Sequence, residues 1–327
     1  MRAIQIAQTG GAEVLVPREL PTPTPGPGEA LIQIEACGVN FIDVYLREGR
    51  YASPLPFIPG QEAAGVVLAL GPGADSTDAA SFKVGDRVAW CGVPATYAQF
   101  AVAPVARLIA VPDGITTRQA AAAMLQGMTA HYLAHSTYAI QKGDAVLVHA
   151  GAGGVGLLLI QMAKRQGARV FTTVSTEEKA ALARAAGADQ AIVYTQVDFA
   201  AKVRELTGGA GVPVVYDSVG KTTFDGSLAC LHPRGVLVLF GGSSGAVPPF
   251  DLIQLSTRGS LYVTRPTLKD YTATREELAM RAGAVLRWVA DGGLKLRIEH
   301  SYALADAAQA HRDLEARKTT GKVLLIP

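Results

Sequence analysis

The chain has 327 residues, 49% of them hydrophobic and 18% charged, with a formal net charge of +2. That length suits about two domains of roughly 150 residues, each with a sizeable core. The composition excludes a disordered chain, and near-neutrality leaves no electrostatic footprint for gripping a nucleic-acid backbone. Cys37, Cys91 and Cys230 form no CxxC pair, and their odd number gives no disulfide framework, which points to a reducing compartment. The opening MRAIQIAQTGG lacks a signal peptide's apolar stretch, and Gly, Lys or Asp interrupts every run that approaches the length of a membrane span. A soluble, cytoplasmic protein with neither membrane nor nucleic-acid partner is expected.

In chain order, the first third reads as β-rich. PTPTPGPGE at 21–29 is a stiff extended connector, residues 30–39 alternate apolar and polar, and GPGADSTDAAS at 71–81 is a loop of turn residues. The pattern changes near residue 117, and 120–134 is Ala-rich and helical. From Gly143 onward, apolar runs at 145–149, 169–174, 190–194, 213–217, 235–240 and 260–264 alternate with helical segments at 154–166, 177–186 and 198–206. Runs that are apolar on both faces suit a parallel sheet covered by helices on each side. Thr274 followed by Glu277 spells a capping box that opens a helix over 275–290, and Gly292-Gly293 stops it. Residues 322–327 form a last short strand that returns to the first unit and makes it discontinuous. The expected fold is α/β: a doubly wound, parallel-sheet Rossmann domain over 125–264, and a β-rich domain from 1–124 and 265–327.

The most informative stretch is AVLVHAGAGGVGLLLIQMAKRQG, a strand, a glycine loop and a helix. Gly151, Gly153, Gly154, Val155 and Gly156 lie in a G-x-G-x-x-G whose glycines allow a tight turn and a close approach to a pyrophosphate. The N–H groups at the helix start then face the anion. A glycine-rich turn without a ligand is the competing reading, and the flanking strand and helix weigh against it. An NAD-binding domain usually carries an acid at the end of the second strand for the ribose 2′-hydroxyl. Here that end reads Val174-Ser175-Thr176-Glu177-Glu178-Lys179, with no acid at Val174-Ser175. Ser175 and Lys179 suit a 2′-phosphate, which favours NADPH. Ser175 with Glu178 also spells a capping box, with Lys179 then a surface lysine.

These motifs carry a resemblance. Gly143-Asp144, Leu147, Gly151 to Gly154, Gly156, Gln161 and Lys164, with PGQEAAG at 59–65, VGDRVAW at 84–90 and YDSVG at 216–220, resemble the zinc-independent quinone oxidoreductase (zeta-crystallin-like) branch of the medium-chain dehydrogenase/reductase superfamily over essentially the whole chain. The resemblance implies a GroES-like catalytic domain beside the Rossmann domain. Zinc-dependent relatives carry Cys and His as catalytic ligands where this chain has Asn40 and Gln61, and zinc favours thiolate and imidazole over amides. Without a Lewis acid a simple alcohol is a hard substrate, whereas a quinone spreads the added charge itself and needs only hydrogen-bond donors. The implied activity is NADPH-dependent reduction of a quinone, by hydride or by stepwise electron transfer. A reductase of α,β-unsaturated carbonyls is the alternative, and a non-enzymatic RNA-binding or structural role a distant third.

Residue by residue, the resemblance places Asn40, Tyr45, Tyr51 and Gln61 near the nicotinamide. Tyr51 is similar in position to a proton-donating tyrosine, and a phenol with a pKa of about 10 is a neutral donor at neutral pH. Asp43 orients backbone or cofactor groups, or caps a helix. Thr129 is similar to a residue at the nicotinamide end, Tyr194 to one near the adenosine phosphate, and Arg317 to a C-terminal cofactor contact. Ser218 falls on the adenosine side. Phe240, Gly241 and Ser243 end the fifth strand, and Val263 and Arg265 end the sixth. Relatives pair through the edge strand over 260–264, so a homodimer is expected.

Overall fold

A computed structural model describes residues 1–74 and 81–327. The loop expected over 71–81 falls mostly on residues 75–80, which lie outside the described residues. The chain divides into two compact units, Met1–Met128 with Tyr271–Pro327, and Thr129–Asp270.

The first unit is built on a mixed sheet in the order Ile298–Ala303, Lys322–Ile326, Glu29–Val39, Glu62–Leu70, Arg87–Cys91 and Ile109–Ala110, with Phe100–Pro104 also paired to Glu29–Val39. Glu29–Val39 alternates buried and more exposed residues along its first part and is buried throughout its last four. The alternation marks a half-covered strand, and the buried end marks where the core closes. The C-terminal strand Lys322–Ile326 is antiparallel to it, pairing Val323 with Val39, Leu324 with Gly38 and Leu325 with Cys37. Glu62–Leu70 lies on the other side, pairing Ala63 with Cys37. Ile32, Val67, Val88, Trp90, Tyr97 and Leu325 are among the residues of its core.

The second unit is a six-stranded parallel sheet in the order Gln190–Val193, Arg169–Val174, Ala145–Val148, Val212–Asp217, Leu231–Leu239, Tyr262–Thr264. Helices Gly154–Arg165, Glu177–Ala185, Phe199–Leu206 and Phe224–Cys230 connect the strands. In sequence terms the strand order is 3-2-1-4-5-6, so the winding reverses between Ala145–Val148 and Val212–Asp217. Ligands of such sheets bind where the order reverses, outside the carboxyl ends of the strands.

The expected strands and helices of this unit all occur, with ends shifted by a few residues. The 120–134 helix is Thr117–Tyr132, continued by one π-helical turn over Leu133–Thr137. Arg275–Ala290 has the expected Thr274/Glu277 capping box. The capping reading at Ser175 is corrected: the residue that caps the next helix is Thr176, whose side chain accepts the Lys179 N–H. Ser175 is left at the end of its strand with a half-buried side chain.

Candidate functional site

In the second unit the strand Ala145–Val148 runs into His149, and Ala150 turns the chain with φ of +53°. Gly151 N–H donates to Thr173 O at 3.0 Å and Gly153 N–H to Ala150 O at 2.9 Å. A Cβ on Gly151 would meet the Thr172 hydroxyl, and one on Gly156 would strike Ala150 O and come within 2.9 Å of Gly151 Cα. Gly156 needs glycine because backbone passes backbone there, and Gly151 because the Thr172 side chain fills the space. Gly153 caps the 12-residue helix Gly154–Arg165 without a side-chain hydrogen bond to the first turn. The N–H groups of Gly154, Val155 and Gly156 have no intrahelical acceptor and carry the positive end of the helix dipole. This cradle fits a pyrophosphate.

Below the loop lies a buried network that sequence reasoning missed. Ser227 O–H donates to Asp217 Oδ2 at 2.8 Å, so His149 Nε2–H must donate to Ser227 Oγ at 3.0 Å. His149 Nδ1 then accepts from the Thr173 hydroxyl at 2.8 Å. Burial lowers the His149 pKa, in keeping with this neutral ring. Asp217 Oδ1 also accepts Val219 N–H at 2.8 Å and Gly220 N–H at 3.0 Å. The network therefore ties the start of the glycine loop to the YDSVG turn.

Several sequence-predicted positions meet at the carboxyl ends of these strands. Tyr194 N–H donates to Val174 O at 3.1 Å, and the Thr195 hydroxyl to Ser175 O at 3.0 Å, which puts Tyr194 beside Ser175. Lys179 is half-buried in the first turn of the helix that follows. Ser243 N–H donates to Ser218 O at 3.2 Å, Phe240 and Gly241 N–H to Asp217 O at 2.9 and 3.3 Å, and Arg265 Nη1 to Gly241 O at 2.7 Å. Val263 lies on the edge strand, paired with Leu237. Thr129 is buried in the Thr117–Tyr132 helix. Arg317 is in the first unit, exposed, with φ of +58° just after the helix Ala307–Glu315.

In the first unit three strand ends converge on Asn40. Its Oδ1 accepts Lys322 Nζ at 2.9 Å and Gln126 Nε2 at 3.2 Å, and its Nδ2 donates to Glu62 Oε1 at 2.6 Å. Lys322 and Glu62 form a direct ion pair, 2% and 0% exposed. Glu62 Oε2 accepts Leu125 N–H at 2.6 Å. Gly38 makes room for this: a Cβ there would overlap Glu62 Oε1 and come within 2.5 Å of Lys322 Nζ. Glu62 looks isolated in the sequence, and its partner is 260 residues away. The available signal was a lone lysine at the head of the apolar run VLLI.

A second buried chain runs from the helix Phe41–Arg47. Arg47 Nη1 donates to Glu315 at 2.6 Å and to His311 Nδ1 at 3.1 Å. Since arginine only donates, His311 carries its hydrogen on Nε2 and donates to Tyr97 Oη at 3.1 Å, and Tyr97 O–H donates to Asp43 Oδ2 at 3.2 Å. Asp43 Oδ2 also accepts Asn40 N–H at 2.9 Å, so Asp43 secures the start of this helix, while Oδ1 has no partner among the described residues. Burial pushes Asp43 up to about 7 against the pull of Asn40 N–H and Lys322, and burial with the Arg47 charge pushes His311 down to about 3. Tyr45, on the same helix, packs edge-on against Tyr51 at 6.0 Å, with Arg50 over the Tyr45 ring. Tyr51 is 44% exposed. Gln61 is half-buried, and its carbonyl accepts Gly92 N–H at 2.8 Å.

Residues 26–113 match the alcohol dehydrogenase GroES-like domain, and residues 154–280 the zinc-binding dehydrogenase family. The chain is 46% identical to a quinone oxidoreductase of Pseudomonas aeruginosa, over 100% of this chain and 99% of that one. It belongs to the quinone oxidoreductase branch of the medium-chain dehydrogenase/reductase superfamily. Another relative, 42% identical over 99% of this chain and 98% of its own length, is a 2-haloacrylate reductase of a Burkholderia species. Escherichia coli quinone oxidoreductase complexed with NADPH superposes with a TM-score of 0.97 at 42% identity, covering 100% of both chains. A mycobacterial protein complexed with NADPH gives 0.96 at 51% identity, again covering 100% of both.

One matched family description names zinc, and this quinone oxidoreductase-type chain fits that ion poorly. Asn40 and Gln61 offer amides, the Asn40 oxygen is already shared by two donors, and the Lys322 ammonium bonds both Asn40 and Glu62. Among the described residues no group of three or more His, Cys, Asp or Glu is placed to hold a metal.

Proposed function

We propose that the protein is an NADPH-dependent quinone oxidoreductase that works without a metal. The observation that carries this reading is the full-length likeness to quinone oxidoreductases, glycine loop included. Bound at that loop, NADPH supplies a hydride to the conjugated acceptor. In this reading the first turn of Gly154–Arg165 holds the pyrophosphate, and Ser175, Lys179 and Tyr194 hold the 2′-phosphate. Thr129, Ser218, Phe240, Gly241, Ser243, Val263, Arg265 and Arg317 line the rest of the cofactor. Asn40, Tyr45, Tyr51 and Gln61 form the substrate-side wall, with Tyr51 the donor to the reduced oxygen. The substrate-side domain is 1–124 with 265–327, and the cofactor domain 125–264.

A second reading, reduction of activated alkenes conjugated to a carbonyl, is favoured by the 2-haloacrylate reductase relative. We assign the protein to the cytoplasm on its three free, buried cysteines. We also assign it to a homodimer, on the edge strand Tyr262–Thr264, where Tyr262 is 61% exposed. Among the described residues no helix is long and apolar enough to cross a membrane. Steady-state assays of quinones, enals, haloacrylates and simple aldehydes with NADPH and NADH test the assignment. Quinones with NADPH are expected to give the highest kcat/KM. Turnover of simple aldehydes alone would overturn it.

A further inference from the structure

Asn40 is one of the substrate-side residues of the proposed function, and the inference here rests on that reading. A primary amide turned by half a revolution exchanges a donor for an acceptor with almost no change of shape, so its orientation must be imposed by its neighbours. At Asn40 the strand register imposes it. Lys322 stands next to Asn40, one step beyond the Val323–Val39 pair, and Glu62 next to Gly38, one step beyond the Ala63–Cys37 pair. Side chains two residues apart on a strand share a face, so Glu62, Asn40 and Lys322 all project to one side of the sheet. The missing side chain of Gly38 lets the two flanking charges meet above the central strand.

The ammonium can only donate and the carboxylate can only accept. Lys322 therefore selects Asn40 Oδ1, at 2.9 Å, and Glu62 selects one Nδ2 hydrogen, at 2.6 Å. The other Nδ2 hydrogen has only a long contact, 3.5 Å, to Gly38 O. That loosely held hydrogen is the one Asn40 can lend to a ligand oxygen. Gln126 cannot impose the orientation, because its own amide can turn to suit either arrangement. Glu62 fixes only the nitrogen side of the amide, and the oxygen side is fixed by the Lys322 ammonium, which cannot accept.

We propose that Lys322 is a positioning residue for the reduction: paired with Glu62 across Gly38, it locks the Asn40 amide so that one N–H stays available to the reacting ligand. The lysine side chain is buried. It acts through Asn40, and its fixed charge bonds both Asn40 and Glu62.

The test is a double-mutant cycle on the full-length protein. NADPH is titrated by fluorescence to count binding sites, and quinone reduction is measured per site, well below each variant's melting temperature. Lys322→Met is expected to lower kcat about tenfold or more while the NADPH Kd stays within about twofold, because an oriented donor matters most in the transition state. Asn40→Ala should lower kcat at least as much, and Asn40→Ala/Lys322→Met should be no slower than Asn40→Ala alone, since residues acting through one group are not additive. An unchanged kcat in Lys322→Met, or two losses that multiply, overturns the proposal. Should Lys322→Met fail to fold with its unpaired carboxylate, Glu62→Gln/Lys322→Met removes both buried charges and replaces it in the cycle. Its kcat should stay low, and recovery to the wild-type rate would overturn the proposal. A wild-type protein that binds NADPH yet reduces no quinone refutes the proposed function itself and takes this inference with it.

Discussion

The two units prepare their parts of the chemistry in opposite ways. The second unit uses backbone: the first turn of Gly154–Arg165, which no side chain caps, and glycines where a Cβ has no space. The first unit uses side chains, an ion pair and the Gln126 amide around Asn40 and a directional chain ending at Asp43. A backbone cradle has few states and tolerates no added atoms. A side-chain network has alternative hydrogen-bond arrangements and depends on every member being present. The first should fail sharply under single steric changes, and the second by degrees and with pH.

The largest expected effect is on the cradle. Gly156→Val drives a side chain into Ala150 O, so the NADPH Kd should rise at least about a thousandfold in a fluorescence titration. Binding retained within tenfold would break the contrast at its strongest point.

The side-chain network should appear in stability against pH. The Asp43 carboxyl is pushed up from 3.8 to about 7, so the folded protein keeps a proton that the unfolded chain has released. Stability from this group falls as pH rises through that window. His311 is pushed down from 6.5 to about 3, so the unfolded chain takes a proton that the folded protein refuses. Stability from it is lost as pH falls through its own window. Each shift changes stability by at most about 5 kcal/mol across its window. The melting temperature of Asp43→Asn should gain on the wild type from pH 5 to pH 8, and that of His311→Gln should gain toward pH 4. Parallel curves would remove these groups from the account.

Smaller effects sharpen the assignment of individual residues. Lys179→Ala should weaken NADPH about tenfold and NADH hardly at all, since the lysine charge answers only the extra phosphate. Equal losses would detach Lys179 from the 2′-phosphate. Tyr51→Phe should slow turnover a few-fold without altering cofactor affinity, as expected for one hydrogen-bond donor on an exposed loop. A chelator such as EDTA should change nothing, because amides and an ammonium occupy the positions in question. Inactivation reversed by zinc would overturn that assignment.

Read alone, the sequence was sufficient for whatever depends on neighbours along the chain. Apolar runs with helices between them gave the parallel sheet, and the spacing of Gly151, Gly153 and Gly156 between a strand and a helix gave the cradle, because the backbone that excludes a Cβ at Gly156 belongs to the same loop. The capping box at Thr274 and Glu277 is legible for the same reason. Ser175 was the local reading that went astray, since Ser175 and Thr176 are both good caps and only the backbone path decides between them.

Tertiary structure alone decided the identity of the partners in the first unit. Asn40 and Lys322 are 282 residues apart, and Tyr97 and His311 are 214 apart. Lys322 reads as an ordinary charge at the head of a strand until the register lays that strand against Val39 and Gly38. A buried charge is specified by what stands across the sheet from it, and that depends on which strands pair, which no local pattern of residues encodes.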